Sequence, residues 1–226
     1  MFITPELFTF FRELAENNDR AWFAENRSRY ERYVKVPLLE FIRAFATPLH
    51  SLSPNYSAVP RVGGSLFRIY RDIRFSKDKS PFKTAAGIHF RHNAGKDAHA
   101  PGFYLHLEPD EVFAAIGIWG PRGPALRSIR QFIADHADEW TQILSDPAFT
   151  EVYHRNLATD ALKRAPKGFD PNHPLIEDLK RKHFVAAAPL TESAVCSDDF
   201  PEHLHAVWNC GTDYMSYLTR AVNLPW

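Results

Sequence analysis

FYLHLEPDEVFAAIGIW, running from Phe103 to Trp119, holds the pattern on which the fold turns. Phe103 to Leu107 and Val112 to Trp119 read as two strands, and Pro109-Asp110 between them is a pair of turn formers, so the stretch predicts a β-hairpin with a tight connection. Working outward, Thr84 to His92 reads as a strand before the hairpin, and the apolar run Phe184 to Leu190 as a buried strand after it. Leu66 to Phe75 also alternates, with Phe67, Ile69, Ile73 and Phe75 apolar against Arg68, Tyr70, Asp72 and Arg74; Arg71 falls on the apolar side. These segments predict a central antiparallel sheet.

Both flanks read as helices. Thr4 and Pro5 suit an N-cap and first turn, followed by Leu7, Phe8, Phe11, Leu14 and Ala15 at helical spacing up to Asn17-Asn18. A second amphipathic run from Asp19 carries Trp22, Phe23, Tyr30 and Tyr33 to Val36, and Pro37 is expected to open a third. Ser51 to Gly64, with Pro54, Pro60, Gly63 and Gly64, reads as a connector. After Gly123 the spacing of Leu126, Ile129, Ile133, Trp140, Ile143 and Leu144 is helical, with a further helical stretch near Phe149 to Leu157. Arg164 to Pro174 is turn-rich, Leu175 to Lys182 a short helix, and the closing helix from Asp199 is interrupted at Gly211. The expectation is a single α+β domain over 1–226: an N-terminal helical region over 1–50, a sheet over 65–120, and a mainly helical region over 124–226 that covers it.

Composition narrows the function classes. The 226 residues are 45% hydrophobic and include 18 Phe, 8 Tyr and 5 Trp, enough for one packed core. The 27 basic and 27 acidic side chains cancel, which argues against nucleic acid or an anionic membrane as partner of the whole surface. No stretch of apolar residues is long enough to span a bilayer, and Glu6, Arg12, Glu13 and Glu16 interrupt the start as no signal peptide would. Cys196 and Cys210 are too far apart for a redox pair or zinc knuckle and read as free thiols of a reducing, cytoplasmic setting. No motif names a cofactor, and the oligomeric state is left open.

One segment departs from this neutrality. Arg68 to Lys83 holds six cations and two carboxylates, a local +4 that the rest of the chain offsets with −4. Guanidinium groups grip carboxylate or phosphate oxygens at two points, so Arg68, Arg71, Arg74, Lys79 and Lys83 are candidate ligands for a small anion. The structural alternative is that Arg71 and Arg74 pair with Asp72, Asp78 or distant acids and pin the sheet to the helices. Arg122, in the turn Gly117 to Pro124 before a helix, could add to an anion site at that helix start, although a plain proline-opened turn explains it.

The same segment resembles the signature of an uncharacterised, mostly bacterial family of proteins of about this length, known only as a domain of unknown function. The Arg-Asp-x-Arg-Phe core at Arg71 to Phe75 is its most specific element. The resemblance spans nearly the whole chain, including Asn17 to Phe23 with Asn26-Arg27, and Lys167 to Pro171 with His173-Pro174. It differs at Phe82, where the family usually places a tyrosine before the final lysine or arginine, and it implies no reaction, cofactor or substrate.

Among titrating groups, Asp72, Asp78 and His106 are candidates for acid–base work. His89, His92, His203 and His205 lack metal-ligand spacing, and no metal site is expected. Arg20 and Trp22 could face a ligand, but a capping turn followed by core aromatics accounts for them; Lys163, Arg164 and Lys167 suit a solvated loop. No nucleophile elbow is present. The leading expectation is a pocket for a phosphate- or carboxylate-bearing small molecule, with hydrolase or transferase activity as an extension. The alternatives are a nucleic-acid or protein-binding module stacking on Tyr70, Phe75 and Phe82, and a purely structural Arg–Asp network.

Overall fold

The computed structural model describes residues 2–94, 100–153 and 160–226. Its strands β1 (Tyr56–Ser57), β2 (Ala86–His92), β3 (Gly102–Glu108), β4 (Glu111–Ile118) and β5 (Phe184–Leu190) form one antiparallel sheet whose spatial order follows the chain. The hairpin β3–β4 closes between Glu108 and Glu111, and Asp110 takes φ 64°, a left-handed position that Asp tolerates through local bonding of its short side chain. β5 lies against β4, with Ala187 opposite Ala115.

Strand alternation sends Ile88, Phe90, Phe103, Leu105, Ala114 and Ile116 to one face, where all are buried. Helices from both ends of the chain pack on that face. Trp208, on the helix Phe200–Asn209, meets Phe45 edge-on at 5.3 Å, Phe90 edge-on at 5.7 Å and Phe103 at 5.3 Å. One indole thus joins the N-terminal helices, the sheet and the C-terminal helices. Gly211 separates Phe200–Asn209 from Thr212–Ala221, and a Cβ there would fall 2.2 Å from Ile116, so the break also lets the helix pair approach β4. The result is a single α+β domain, and none of its described helices is long and apolar enough to cross a membrane.

Several boundaries depart from expectation. Pro37 does not open a new helix: a π-helical turn at Glu31–Lys35 runs straight into Val36–Ala44, with the Val36 amide reaching back to Glu31. Proline has no N–H to donate, and the wider turn redistributes the bonds around that gap. The connector read at 51–64 contains β1 and the end of the helix Ala46–Leu52. The helix at Phe149 spans Pro147–Val152, and the rest of the stretch expected there lies outside the described residues.

The larger correction concerns Leu66 to Phe75, which is not a strand. Only its beginning joins the sheet: Phe67 donates to Gly87 O at 2.9 Å, while Ser65 O accepts from the His89 amide at 2.8 Å. Beyond that it folds on itself, with Tyr70 bridged to Phe82, Arg71 N on Pro81 O at 2.9 Å and Lys83 N on Ile69 O at 2.8 Å. Ile69 is buried but Phe75 is 95% exposed, because no layer among the described residues covers the tip of this loop.

Candidate functional site

The loop satisfies most of its own charge. Arg74 donates through Nε to Asp72 Oδ1 at 2.9 Å and through a terminal nitrogen to Oδ2 at 2.7 Å, which holds Asp72 down at about 2. Asp78 accepts from Ser80 Oγ at 2.6 Å and from the Ser80 amide at 2.9 Å, and it is ion-paired with Arg71; those bonds, in that order, keep its carboxyl below the usual range. Lys79 Nζ reaches the Ile73 carbonyl at 3.0 Å. Arg122 is exposed before the helix Gly123–Asp135 and lines neither cavity described below.

Arg68 is exposed and lines neither cavity described below, and Lys83 stands differently again. Lys83 is partly buried, lies 5.2 Å from the centre of the Phe67 ring, and has no acid partner among the described residues. Burial and then the nearby charge of Arg68 lower its pKa. The Asn18 side chain brings the loop base to the N-terminal helices, accepting from Phe82 N at 3.1 Å and donating to Phe82 O at 3.0 Å. The Phe82 ring stacks on Phe23 at 4.1 Å, so two segments far apart in the chain meet there. Asp19 caps the helix Arg20–Glu25 through bonds from the Ala21 and Trp22 amides, the structural role expected of that turn.

Because the helices cover one sheet face, the other is open. Gly102, Gly117 and Ala115 pave its floor, and it holds a cavity of about 440 Å³ walled by Phe67, His89, Tyr104, His106, Phe113 and Trp119. The small residues are required by close approach: a Cβ on Gly102 would sit 2.1 Å from His89 Nε2, and one on Gly117, at φ 115°, only 2.0 Å from Phe184 O.

Alternate residues of β3 place Tyr104, His106 and Glu108 in a row on this face. Tyr104 Oη lies 2.9 Å from His106 Nδ1, and His106 Nε2 lies 3.1 Å from Glu108 Oε2. A carboxylate only accepts, so in the neutral imidazole Nε2 carries the proton and Nδ1 is left to accept from the phenol. Thr84 Oγ1 donates to the other oxygen of Glu108 at 2.8 Å. Phe113, directly opposite His106 across the ladder, stacks on its ring at 4.7 Å. Imidazole plane, tautomer and carboxylate are each held by a named neighbour.

A second cavity of about 540 Å³ adjoins the first at His106 and is lined by Arg71, Asp78, Phe82, Lys83 and Glu108 among others. Thus His106 and Asp78 share a wall, whereas Asp72 stays on the exposed loop paired to Arg74. His106, Glu108 and Glu111 also bring ligand-capable atoms within 4.8 Å of one another, a grouping that spacing rules missed because Glu111 lies across the turn. Lys83 and Arg71 flank that corner and oppose a cation, so we read Glu108 as the partner of the imidazole. Above Gly102, His89 Nδ1 accepts from Arg91 Nε at 3.2 Å, and burial, with a smaller contribution from Arg91, holds this histidine down at about 4 and neutral.

Sequence reasoning named His106 but neither Tyr104 nor Glu108. The signal available was their period of two along one strand, which says that they share a face and not which face is open.

A sheet packed by helices on one side and presenting a polar row inside an apolar hollow on the other defines a small α+β domain with a ligand-sized pocket. The chain belongs to the family described as "Conserved hypothetical protein (DUF2461)", whose model matches residues 6–217. That range embraces nearly all of the chain, as the sequence resemblance implied. No curated protein matches it.

Proposed function

We propose that the open sheet face binds a small amphipathic anion, its apolar body in the hollow over Gly102 and Ala115 and its phosphate or carboxylate at Lys83, with Arg68 beside it. The observation that carries this reading is Lys83: a partly buried cation without an acid partner among the described residues, on the wall of a cavity that meets the apolar one at His106. Taking a cation out of water is unfavourable unless an anion compensates, and a ligand can supply that anion. Arg71, Arg74 and Lys79 support the loop that carries Lys83 rather than gripping the ligand themselves, since their bonds are taken within it. A reducing, cytoplasmic setting fits the same reading, as Cys196 and Cys210 are both free.

The test uses 8-anilinonaphthalene-1-sulfonate, an aromatic anion, and its uncharged relative N-phenyl-1-naphthylamine as fluorescent ligands of the folded protein. Lys83→Met is expected to weaken the sulfonate roughly tenfold, about 1.4 kcal/mol, as for a hydrogen bond to a charged group, and to leave the uncharged dye bound as before. Equal loss of both, or of neither, refutes the placement of the anion. A second reading, single-stranded nucleic acid stacking on the basic loop, is favoured by Phe75, which is 95% exposed with Arg74 5.9 Å from its ring centre. It requires an oligonucleotide to be retained in a low-salt gel shift and released as salt rises.

A further inference from the structure

We infer that Tyr104 is a nucleophile toward acyl-type electrophiles bound in the apolar cavity, with His106 as its base and Glu108 as the residue that positions the imidazole. This rests on the reading of that cavity as a ligand site, and it adds a reaction to it. Lys83 has no role in the bond-making step.

The geometry supplies each requirement of covalent catalysis. A phenol inside the cavity donates to an imidazole at 2.9 Å, and the far side of that imidazole is held by a carboxylate at 3.1 Å. The phenol oxygen keeps its lone pairs for an electrophile, and the apolar walls of Phe67 and Phe113 suit the body of a bound ester. Burial pushes Tyr104 up to about 12, so free phenolate is scarce at neutral pH and the proton must pass to His106 as the new bond forms. The neutral His89, whose Nδ1 is occupied by Arg91, is left with an Nε2 proton that it can donate to the oxygen developing charge.

For an ester the steps balance. Tyr104 Oη bonds to the acyl carbon as its proton moves to His106 Nδ1; the carbon–alkoxide bond then breaks, and the departing alcohol takes that proton. Water next bonds to the acyl carbon and passes one proton to His106; the tyrosyl oxygen leaves and recovers it, releasing the acid. Glu108 accepts the Nε2–H bond throughout and stabilises the transient imidazolium.

Phenylmethanesulfonyl fluoride arrests the first step: the Oη–S bond forms, the S–F bond breaks, and the phenolic proton leaves with fluoride. Intact mass and peptide mapping of the whole folded chain are expected to find Tyr104 modified at least tenfold faster than Tyr70, which is 55% exposed and sets the rate of an unassisted tyrosine. His106→Gln and Glu108→Gln are expected to slow labelling of Tyr104 at least tenfold, and Lys77→Ala, on the exposed loop, to leave it unchanged. The nitrogen chemical shifts of His106 are expected to report the Nε2–H tautomer in the wild type and its loss in Glu108→Gln, which a merely structural carboxylate would not change. Labelling of Tyr104 no faster than Tyr70 overturns the inference on wild-type protein alone, whatever the variants do. If the sulfonate dye binds and Tyr104 stays unlabelled, the nucleophile is refuted and the binding site stands. Labelling of Tyr104 with no dye bound supports the nucleophile and removes the anion site.

Discussion

Replacing Gly87 by alanine tests how tightly the fold holds the polar row. A Cβ built there lies 2.8 Å from Tyr104 Oη, 3.1 Å from Tyr104 Cε2 and 3.0 Å from Phe67 Cδ2. Comfortable contacts need about 3.5 Å or more, so the phenol must withdraw by roughly 0.5–1 Å. Tyr104 has little room to swing, because its ring lies between those of Phe67 at 5.9 Å, Phe113 at 6.1 Å and His89 at 6.3 Å. A shift of that size carries the bond to His106 from 2.9 Å to beyond the ordinary hydrogen-bond range. Overpacking of this kind costs about 1–3 kcal/mol, which in a domain of this length lowers Tm by roughly 2–12 °C. The decisive assay is a double-mutant cycle by denaturant unfolding. In a Tyr104→Phe background the nearest atom is gone, so Gly87→Ala should cost less there, with a coupling of about 0.5–3 kcal/mol. An identical cost in both backgrounds would show that the hydroxyl is not held against this glycine.

Three further outcomes follow from packing and charge. Trp208→Ala removes the indole shared by Phe45, Phe90 and Phe103 and is expected to destabilise by about 3–5 kcal/mol in urea unfolding, whereas a loss under about 1 kcal/mol would contradict its central place. Asn18→Ala strips both bonds from the Phe82 backbone and should cost about 1–3 kcal/mol while weakening the sulfonate dye; normal dye binding would mean the Lys83 loop does not depend on that clamp. His89 is held at about 4 against an ordinary 6.5, so the unfolded chain binds its proton first as pH falls. The stability owed to its neutral form is therefore complete above about 6.5 and lost down to about 4, at most about 3 kcal/mol, and His89→Gln should flatten the pH dependence of unfolding in that window.

What could be read locally follows local physics. The hairpin at Phe103 to Trp119, β5 at Phe184 to Leu190 and the helix break at Gly211 all depend on side-chain period or turn chemistry, which a few adjacent residues carry. Leu66 to Phe75 shows where that stops. Its alternation is as clear as that of β2, yet a strand needs a partner edge, and only Ser65 to Phe67 finds one before the chain turns back to pair Tyr70 with Phe82. The charge excess of Arg68 to Lys83 was visible as composition; that Asp72 and Asp78 consume two of its arginines and spare Lys83 is a matter of loop geometry.

The chain order of residue types alone specifies the strands β2 to β5, the amphipathic helices and the shared face of Tyr104, His106 and Glu108. Which face stays open belongs to tertiary structure, because it depends on helices from both termini packing on the same side, through contacts such as Trp208 on Phe45 and Phe103 that lie far apart in the chain. Had they divided between the two sides, the same row of polar groups would be covered. Periodicity assigns a residue to a side, and only long-range packing decides whether that side meets solvent, a helix or a ligand.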